Sequence, residues 1–171
     1  ESRLQIELPF IEQLLSGVPH PNRSPAHVLD AACGTGMHTL ALARGGHPAL
    51  GADLSPAMIE HARRNARSAG LEVRFEMAGF GGLASALPDA LPFDAVLCLG
   101  NSLPHAADEA GLAAALADFA ACLRSGGLLL LQNRNFDAVL ADRQRWMEPQ
   151  AHRAGDVEKL FIRFYDFDAD G

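Results

Sequence analysis

The sequence predicts an α/β fold built on a doubly wound, mostly parallel β-sheet. Segments of strand and helix character alternate along the chain with short links, which is typical of a parallel sheet covered by helices on both faces. A glycine-containing turn follows the first strand segment. With 171 residues, 49% of them hydrophobic and 20% charged, the chain is long enough for one core and short for two. We therefore expect a single domain.

The opening element is predicted to be an amphipathic helix over residues 3–16. Its apolar residues recur at helical spacing until Gly17 and Pro19 stop the pattern; they are Leu4, Leu8, Ile11, Leu14 and Leu15. The chain begins with Glu1 rather than Met and ends in a turn-like stretch at 168–171. We therefore expect a sequence trimmed at both ends.

Three strands and two helices follow in alternation. The predicted segments are a strand at about 26–32, a helix at 36–44, a strand at 47–53, a helix after Ser55 and a strand at 71–77. Ser55 is predicted to cap the second of these helices, with Pro56 in its first position. Its predicted inner face consists of Met58, Ile59, Ala62 and Ala66.

The rest of the chain continues the alternation after a loop rich in Gly and Pro. Residues 93–100 read as a buried strand, and Asp108 starts a helix that residues 125–127 are predicted to end. The predicted inner face of that helix is Leu112, Ala115, Leu116, Phe119 and Leu123. The last predicted elements are a strand at 128–133, a short helix at 136–142 and a sixth strand at 158–167.

Composition excludes several classes of partner. A formal net charge of -7 disfavours broad contact with nucleic acid phosphates. No apolar run reaches the roughly 18 residues of a membrane span, and the histidines and cysteines show no metal-site spacing. Cys33, Cys98 and Cys122 lie apart in apolar surroundings, as buried thiols of a reducing compartment would, so we expect a cytoplasmic protein without a metal.

The turn after the first strand, VLDAACGTGMHT at residues 28–39, is suited to a flat polar ligand. Gly34 and Gly36 let the backbone turn tightly and approach a ligand. The dinucleotide pattern G-x-G-x-x-G is only partly met, because Thr39 holds its third glycine position. The turn therefore favours a flat polar ligand, and the missing third glycine weakens the interpretation as a nicotinamide site.

The same turn resembles the D-x-[GA]-x-G-x-G signature of class I S-adenosylmethionine-dependent methyltransferases, which Asp30, Ala32, Gly34 and Gly36 match in order. The resemblance implies S-adenosyl-L-methionine as cofactor and the Rossmann-like methyltransferase fold. Its central sheet has the order 3-2-1-4-5, followed by later strands of which trimming could remove the last. The expected single domain then comprises an opening helix at 1–17, a cofactor-binding core at 26–135, and a substrate-side insertion with a late strand at 136–171.

Asp53 ends the second strand, where a carboxylate can accept hydrogen bonds from both ribose hydroxyls. NAD enzymes share this feature, so Asp53 does not discriminate between the two cofactors. The alternative is that Asp53 only begins the cap of the next helix. Leu54 and Met58 could pack on the adenine, although a core position explains Met58 equally well.

The third strand leads into FEMAGFGGL at 75–83. Members of the family usually place an acidic residue here that binds the adenine amine, and Gly79 stands in its place. This departure from the family pattern leaves recognition of the adenine amine by a side chain open, and backbone groups around Ala78 and Phe80 are the candidates to substitute for it. Phe80 has an alternative role as a loop anchor.

The fourth strand ends in a polar hook, LGNSLPH at 99–105. This stretch resembles glycine and sarcosine N-methyltransferases, in which the Asn contacts the substrate and the surrounding backbone contacts the cofactor. The resemblance assigns Asn101 to the substrate, and Leu99, Gly100 and His105 to the cofactor. The alternative for Asn101 is a turn residue that satisfies its own backbone, and the alternative for His105 is a loop or capping histidine.

The fifth strand ends in QNRNFD at 132–137, where the same N-methyltransferases carry an Arg that binds the substrate carboxylate. Arg134 matches that position, and a guanidinium fork suits a planar carboxylate. The alternative is a surface Arg paired with Asp137.

The expected function is therefore methyl transfer from S-adenosyl-L-methionine to a small molecule, as N-methylation of a glycine-like amino acid or another amine. Asn101 and Arg134 are the candidate catalytic residues. O- or C-methylation on the same fold is an alternative. An NAD-dependent oxidoreductase and a non-catalytic cofactor-binding domain are alternatives of other classes. The expected partner is a small-molecule substrate, without nucleic acid or membrane, and the oligomeric state is left open.

Overall fold

The structure is a computed structural model that describes residues 3–19, 25–106 and 108–167. It divides into two compact units, Glu1–Asn133 and Arg134–Gly171. Residues 1 and 2 of the opening segment 1–17 and the turn-like stretch at 168–171 lie outside the described residues.

The first unit alternates strands and helices in the predicted order. Its elements are α1 (Arg3–Ser16), β1 (Val28–Ala31), α2 (Met37–Arg44), β2 (Ala49–Asp53), α3 (Pro56–Ser68), β3 (Arg74–Met77), α4 (Leu83–Ala86), β4 (Phe93–Cys98), a 3-10 turn (Leu103–His105), α5 (Glu109–Cys122) and β5 (Leu123–Leu131). Helix α4 lies in the stretch that the sequence predicts as a loop. Its four residues are too few to show a periodic pattern.

The five strands form one sheet in the order β3-β2-β1-β4-β5, which confirms the predicted α/β fold and strand order. Every neighbouring pair is parallel, so the carboxyl ends of all strands meet at one edge. The central strands β1 and β4 are buried along their whole length because helices cover both faces of the sheet. That edge is where open α/β sheets bind ligands.

Alternate residues of the central strands enter different hydrophobic clusters, as the two-residue period of a strand requires. Leu29 and Val96 pack with Phe119 of α5 on one side. Val28 and Leu97 pack with residues of α1 on the other. The opening helix is therefore part of the core, with Ile11 and Leu15 fully buried.

Helix α5 is rotated from the predicted orientation. Leu112 and Leu116, predicted to face inward, are 38% and 39% exposed, whereas Asp118 is buried. The Asp118 carboxylate accepts hydrogen bonds from the backbone N–H groups of Leu83 and Ala84, at 2.7 and 2.9 Å. Asp118 thus caps the first turn of α4, and this tertiary contact outweighs the burial of two leucines.

The end of α5 also differs from the prediction. The helix ends at Cys122, and β5 begins at the next residue, Leu123, so the prediction that residues 125–127 end the helix was wrong. Phe93 pairs with Leu123 and Ala95 with Leu128. Residues 125–127 therefore lie in a bulge of β5. Gly126 has a φ of 72°, a left-handed conformation that glycine adopts without strain.

Helix α3 begins as predicted. The Ser55 hydroxyl accepts a hydrogen bond from the Met58 backbone N–H at 3.4 Å, and Pro56 occupies the first position. Ile59, Ala62 and Ala66 are buried, but Met58 is 41% exposed. The assignment of Met58 to the inner face was therefore wrong; Met58 lies in the first turn of α3.

The second unit contains a short helix and a hairpin. Helix α6 (Phe136–Asp142) has the predicted bounds, and β6 (Gln150–Ala154) pairs antiparallel with β7 (Val157–Phe161). The predicted sixth strand at 158–167 is wrong beyond Phe161, where β7 ends, and β6 was not predicted. Every residue of β7 is exposed, so this hairpin lacks the alternating pattern by which a half-buried strand is recognised.

Among the described residues, no helix has the length and apolar character needed to cross a membrane.

Candidate active site

A cavity of about 260 Å³ opens at the carboxyl edge of the sheet. It lies between the turn after β1 and the hook after β4, and α1 contributes one side chain to it. The lining residues are Arg3, Asp30, Ala32, Cys33, Gly34, Thr35, Met37, His38, Leu99, Gly100 and Ser102. The structure therefore brings together residues from two of the sequence motifs.

A wider groove of about 650 Å³ lies at the opposite edge, where the strands begin. Its guanidinium, Arg74, is already paired with Glu76 and Asp89, at 2.9 and 2.6 Å. Because ligands of open parallel sheets bind outside the carboxyl ends of the strands, the cavity beside Gly34 is the candidate site.

The two glycines of the turn have different surroundings. A Cβ added at Gly34, whose φ is 56°, would meet nothing within 4 Å. A Cβ added at Gly36, whose φ is 79°, would lie 2.8 Å from the Phe75 ring. Gly34 thus keeps the cavity wall open for a ligand, whereas Gly36 permits close packing of α2 against the sheet.

Asp53 connects two loops at the edge of the sheet. Its Oδ2 accepts a hydrogen bond from the Gly34 N–H at 2.8 Å, and its Oδ1 accepts one from the Ser55 N–H at 2.9 Å. Ser55 itself caps α3, so Asp53 is not the capping side chain. Each carboxylate oxygen retains capacity to accept a further hydrogen bond, which two neighbouring hydroxyls of a ribose could donate.

Asp30 is buried beneath the same turn. Its Oδ2 accepts hydrogen bonds from the Thr39 hydroxyl at 2.6 Å and from the Thr39 N–H at 3.2 Å. Burial raises the pKa of Asp30, and the nearby Asp53 charge adds to the rise, while the bonds from Thr39 and the proximity of His38 oppose it. The Asp30 carboxylate is therefore costly to ionise, which is typical of functional sites.

Asp30→Asn is expected to raise the urea midpoint of unfolding at pH 7 to 8. A carboxyl whose pKa is raised in the folded state contributes stability below its unfolded pKa of about 3.9 and loses it as pH rises through the folded pKa. The Asn amide keeps an acceptor for Thr39 and carries no charge at any pH. The gain in stability over the original chain should therefore shrink as pH approaches 4, where the Asp30 carboxyl is itself protonated. Urea titrations across this pH range measure the effect. A gain that grows toward pH 4 would contradict the assigned shift.

The hook after β4 has a left-handed backbone. Gly100 and Asn101 have φ values of 76° and 65°, and Asn is one of the few side chains that tolerate this conformation. The Asn101 N–H donates to the Gln132 carbonyl at 3.0 Å, which holds the hook against β5. Leu99 and Gly100 line the cavity, whereas Asn101, the next residue in the chain, is half-buried and is not among the lining residues named above.

His105 stands apart from the cavity in the described part of the chain. It ends the 3-10 turn, its side chain is exposed, and other residues line the cavity. This position favours the alternative interpretation of His105 as a loop histidine.

The residues predicted to face the adenine lie beyond Asp53. Leu54 is 75% exposed, and its Cδ1 would lie 3.0 Å from a Cβ at Gly79. The exposed Met58 side chain also remains available for a ligand. The absence of a side chain at Gly79 therefore leaves room for Leu54.

The backbone groups predicted to replace an acidic residue at this position are partly engaged. The Ala78 N–H donates to the Asp53 carbonyl at 3.1 Å. The Phe80 ring packs edge to face on Phe119, with centroids 5.4 Å apart. The Phe80 side chain thus anchors the loop, and its predicted contact with the cofactor rests on its backbone.

The sequence analysis missed a polar cluster on the inner side of α1. Glu7 accepts hydrogen bonds from Arg3 Nε at 2.8 Å, Gln132 Nε2 at 2.6 Å and His38 Nε2 at 2.8 Å. Partial burial alone would raise the pKa of Glu7, but these three bonds outweigh it and hold that pKa below its ordinary value. The spacing of Arg3 and Glu7, one helical turn apart, is the signal that could have revealed the pair.

Arg134 lies in the second unit, where it lines a cavity of about 270 Å³ together with Trp146, Glu148 and Tyr165. Its Nη1 donates to the Tyr165 hydroxyl at 2.5 Å and lies 3.6 Å from Met147 Sδ. The Tyr165 hydroxyl and the Met147 sulfur are thus among the partners of Arg134, and the alternative of a pair with Asp137 stays open.

The three cysteines are free and buried, as predicted. Burial raises the pKa of Cys98 and Cys122 to about 12, so neither thiol is a nucleophile near neutral pH. Within the described residues, no group of three His, Cys, Asp or Glu side chains could hold a metal ion.

Comparison with known proteins agrees with this geometry. Residues 28–127 match the family described as a methyltransferase domain. The chain is 39% identical over 139 residues to the glycine/sarcosine N-methyltransferase of Parasynechococcus marenigrum (strain WH8102), covering 81% of this chain and 47% of that protein. It is 36% identical over 123 residues to the glycine N-methyltransferase of Rattus norvegicus, covering 67% of this chain and 42% of that protein.

The chain therefore spans about half the length of the curated relatives that it matches. Among solved structures, Streptomyces venezuelae DesVI superposes with a TM-score of 0.74 at 24% identity, covering 95% of this chain and 64% of that one. At this identity the likeness shows the fold.

Proposed function

The chain belongs to the methyltransferase domain family, which it matches over residues 28–127, and from this we propose that it binds S-adenosyl-L-methionine and methylates a small molecule at nitrogen. The observation that carries the proposal is this family match, which includes the glycine turn at 28–39; the Asp53 carboxylate, which bridges Gly34 and Ser55 at the carboxyl edge of the sheet, supports a ligand with a ribose. The proposed substrate is a glycine-like amino acid or another amine.

Residues at the carboxyl edge of the sheet fit the chemical groups of this cofactor. Outside the cavity, Asp53 is suited to the ribose hydroxyls, and the exposed Leu54 and Met58 side chains are suited to the adenine. In the cavity itself, the Asp30 carboxylate complements an ammonium group and the Arg3 guanidinium complements a carboxylate. The open space at Gly34 lets the ligand lie against the backbone.

When bound, the cofactor supplies a methyl group activated by a sulfonium centre. The contribution of the protein is then to hold the reactants in line and to exclude water. We assign Asn101 to the orientation of the nucleophilic amine, since the hook fixes its backbone beside the cavity-lining Gly100. A neutral amine that has released its proton to water requires no general base.

Arg134 is proposed to bind the substrate carboxylate. Support comes from its place in the Arg-Asn-Phe-Asp stretch after β5, from the names of the relatives, and from the Tyr165 hydroxyl that holds its Nη1. A guanidinium carries five N–H donors in a planar fork, which matches the geometry of a carboxylate.

Arg134→Ala is expected to raise KM for an amino-acid substrate by about 100-fold, because a charge-assisted, two-bond contact is lost. Steady-state methyl transfer to glycine and sarcosine measures KM, and calorimetry should show unchanged cofactor affinity. Arg163→Ala is the matched control, because Arg163 contacts Gln150 on the exposed hairpin. An unchanged KM in Arg134→Ala would remove this assignment.

Calorimetric titration with S-adenosylmethionine, S-adenosylhomocysteine and NAD tests the function itself. We expect both sulfur nucleotides to bind and NAD to bind much more weakly. Binding of NAD alone would overturn the proposal in favour of an oxidoreductase. Binding of the sulfur nucleotides without transfer to any amine would leave a cofactor-binding domain.

We also propose a cytoplasmic location and a small-molecule partner. The three free, buried thiols suit a reducing compartment. The net charge of -7 disfavours nucleic acid as a partner.

A further inference from the structure

We propose that Gln132 is a positioning residue, which couples helix α1 to the hook after β4 and holds the Arg3 guanidinium at the cofactor cavity. The inference rests on the proposed function, because Arg3 matters here through a ligand that carries a carboxylate. Neither Gln132 nor its partners on α1 belong to the motifs of the glycine turn or the hook.

The Gln132 side chain contacts three residues on two elements, α1 and the hook. Its Oε1 accepts a hydrogen bond from Arg3 Nη2 at 2.5 Å and another from the Gly100 N–H at 3.0 Å. Its Nε2 donates to Glu7 Oε1 at 2.6 Å. One side chain thus connects the end of β5 with two residues of α1 and with the hook.

The backbone of Gln132 holds the same hook. Its N–H donates to the Cys98 carbonyl, and its carbonyl accepts from the Asn101 N–H, both at 3.0 Å. The left-handed pair Gly100 and Asn101 is therefore fixed from both the side chain and the backbone of one residue.

A glutamine suits this position because the contacts require an acceptor and a donor on the same group. The amide oxygen meets two donors, Arg3 and Gly100, and the amide nitrogen meets the Glu7 carboxylate. A glutamate would place a second carboxylate against Glu7, with like charges in direct contact. An apolar side chain of the same length would satisfy neither role.

The contacts with Gln132 restrict the conformational freedom of the Arg3 side chain. Its side chain is 46% exposed and lies in the first turn of α1, where a long cation would otherwise sample many rotamers. Gln132 and Glu7 hold it from two sides, so a ligand carboxylate meets a guanidinium that is already placed. Preorganisation of this kind increases affinity by reducing the entropy lost on binding.

The test compares two ligands that differ only at the end that Arg3 would contact. S-adenosylhomocysteine carries an amino-acid end, and 5′-methylthioadenosine keeps the nucleoside and the sulfur without it. In the full chain, Gln132→Ala should raise the calorimetric Kd for S-adenosylhomocysteine about 10-fold. The Kd for 5′-methylthioadenosine should change less than about twofold. A role in folding alone would weaken both ligands equally.

A double-mutant cycle tests whether Gln132 acts through Arg3. In the Arg3→Ala background, Gln132→Ala should have no further effect on S-adenosylhomocysteine binding. Gln13, an exposed glutamine on α1, provides the control: Gln13→Ala should leave the Kd of both ligands unchanged. If Gln132→Ala fails to fold, Gln132→Met keeps the volume and is expected to give the same pattern.

Each outcome decides the proposal. Equal weakening of both ligands, full additivity with Arg3→Ala, or no effect would overturn the positioning role while leaving the proposed function intact. If the unsubstituted chain binds neither ligand, the proposed function fails, and the role of Gln132 fails with it.

Discussion

Asp53→Ala is expected to raise the Kd for S-adenosylhomocysteine at least about 100-fold. Two charge-assisted hydrogen bonds to a ribose would be lost, each worth about 1.5 to 3 kcal/mol. The Gly34 and Ser55 N–H groups would also lose the acceptor that holds their loops together. Isothermal titration calorimetry measures the loss, and a thermal melt of the same sample establishes that the variant is folded.

Two further variants separate the ligand role of Asp53 from its structural role. Asp53→Asn retains one oxygen for a backbone N–H but offers an amide in place of the second, so its affinity should fall between those of the original chain and Asp53→Ala. Asp89→Ala removes an exposed carboxylate that pairs with Arg74 at the opposite edge of the sheet, and it should not affect binding. A change of less than about threefold in Asp53→Ala would exclude Asp53 from the cofactor site.

Gly36→Ala is expected to lower the free energy of unfolding by about 2 to 4 kcal/mol. The new Cβ would lie 2.8 Å from Phe75 and 3.2 Å from Ala62, at a φ of 79° that L side chains rarely adopt. Both neighbours are buried, so the clash cannot be relieved by moving a side chain into solvent. Urea unfolding followed by circular dichroism measures the change.

Two other glycines with positive φ provide matched controls. A Cβ at Gly46 would meet nothing within 4 Å, so Gly46→Ala should cost only the backbone strain, about 1 kcal/mol. Gly34→Ala should cost a similar amount of stability, because its surroundings are also open. It should in addition weaken S-adenosylhomocysteine binding about 10-fold, since its Cβ would occupy space beside the ligand. Equal destabilisation of all three variants would contradict the separate roles assigned to Gly34 and Gly36.

Much of the fold was predictable because its signals are local. The alternation of strands and helices predicts the parallel sheet, and the resemblance supplies the order that the structure confirms. The cap at Ser55 and the bounds of α1 and α6 also follow from neighbouring residues. Helix α4, the rotation of α5 and the bulge in β5 depend on partners 30 or more residues away, such as Asp118 and Phe93.

The residues of the candidate site also divide into positions that the sequence predicts and positions that it does not. The Asp30, Gly34 and Asp53 positions follow from a motif and a strand end, and the structure places them together at one edge of the sheet. Their assignment to the cofactor, like that of Asn101 and Arg134 to the substrate, stays a prediction, which the Gly34, Asp53 and Arg134 variants test at their own positions. His105 is exposed and the Phe80 ring packs on Phe119, so these two side chains follow a motif while other described residues line the cavity.

The sequence by itself determined the fold class, the family and the edge of the sheet at which ligands bind, because periodicity and short motifs are properties of neighbouring residues. Only the tertiary structure decided which side chains share that edge. Arg3 and Gln132 are 129 positions apart, yet they form a hydrogen bond of 2.5 Å. No local pattern encodes such a pair, since it exists only after α1 packs against the sheet and β5 brings its carboxyl end beside the hook.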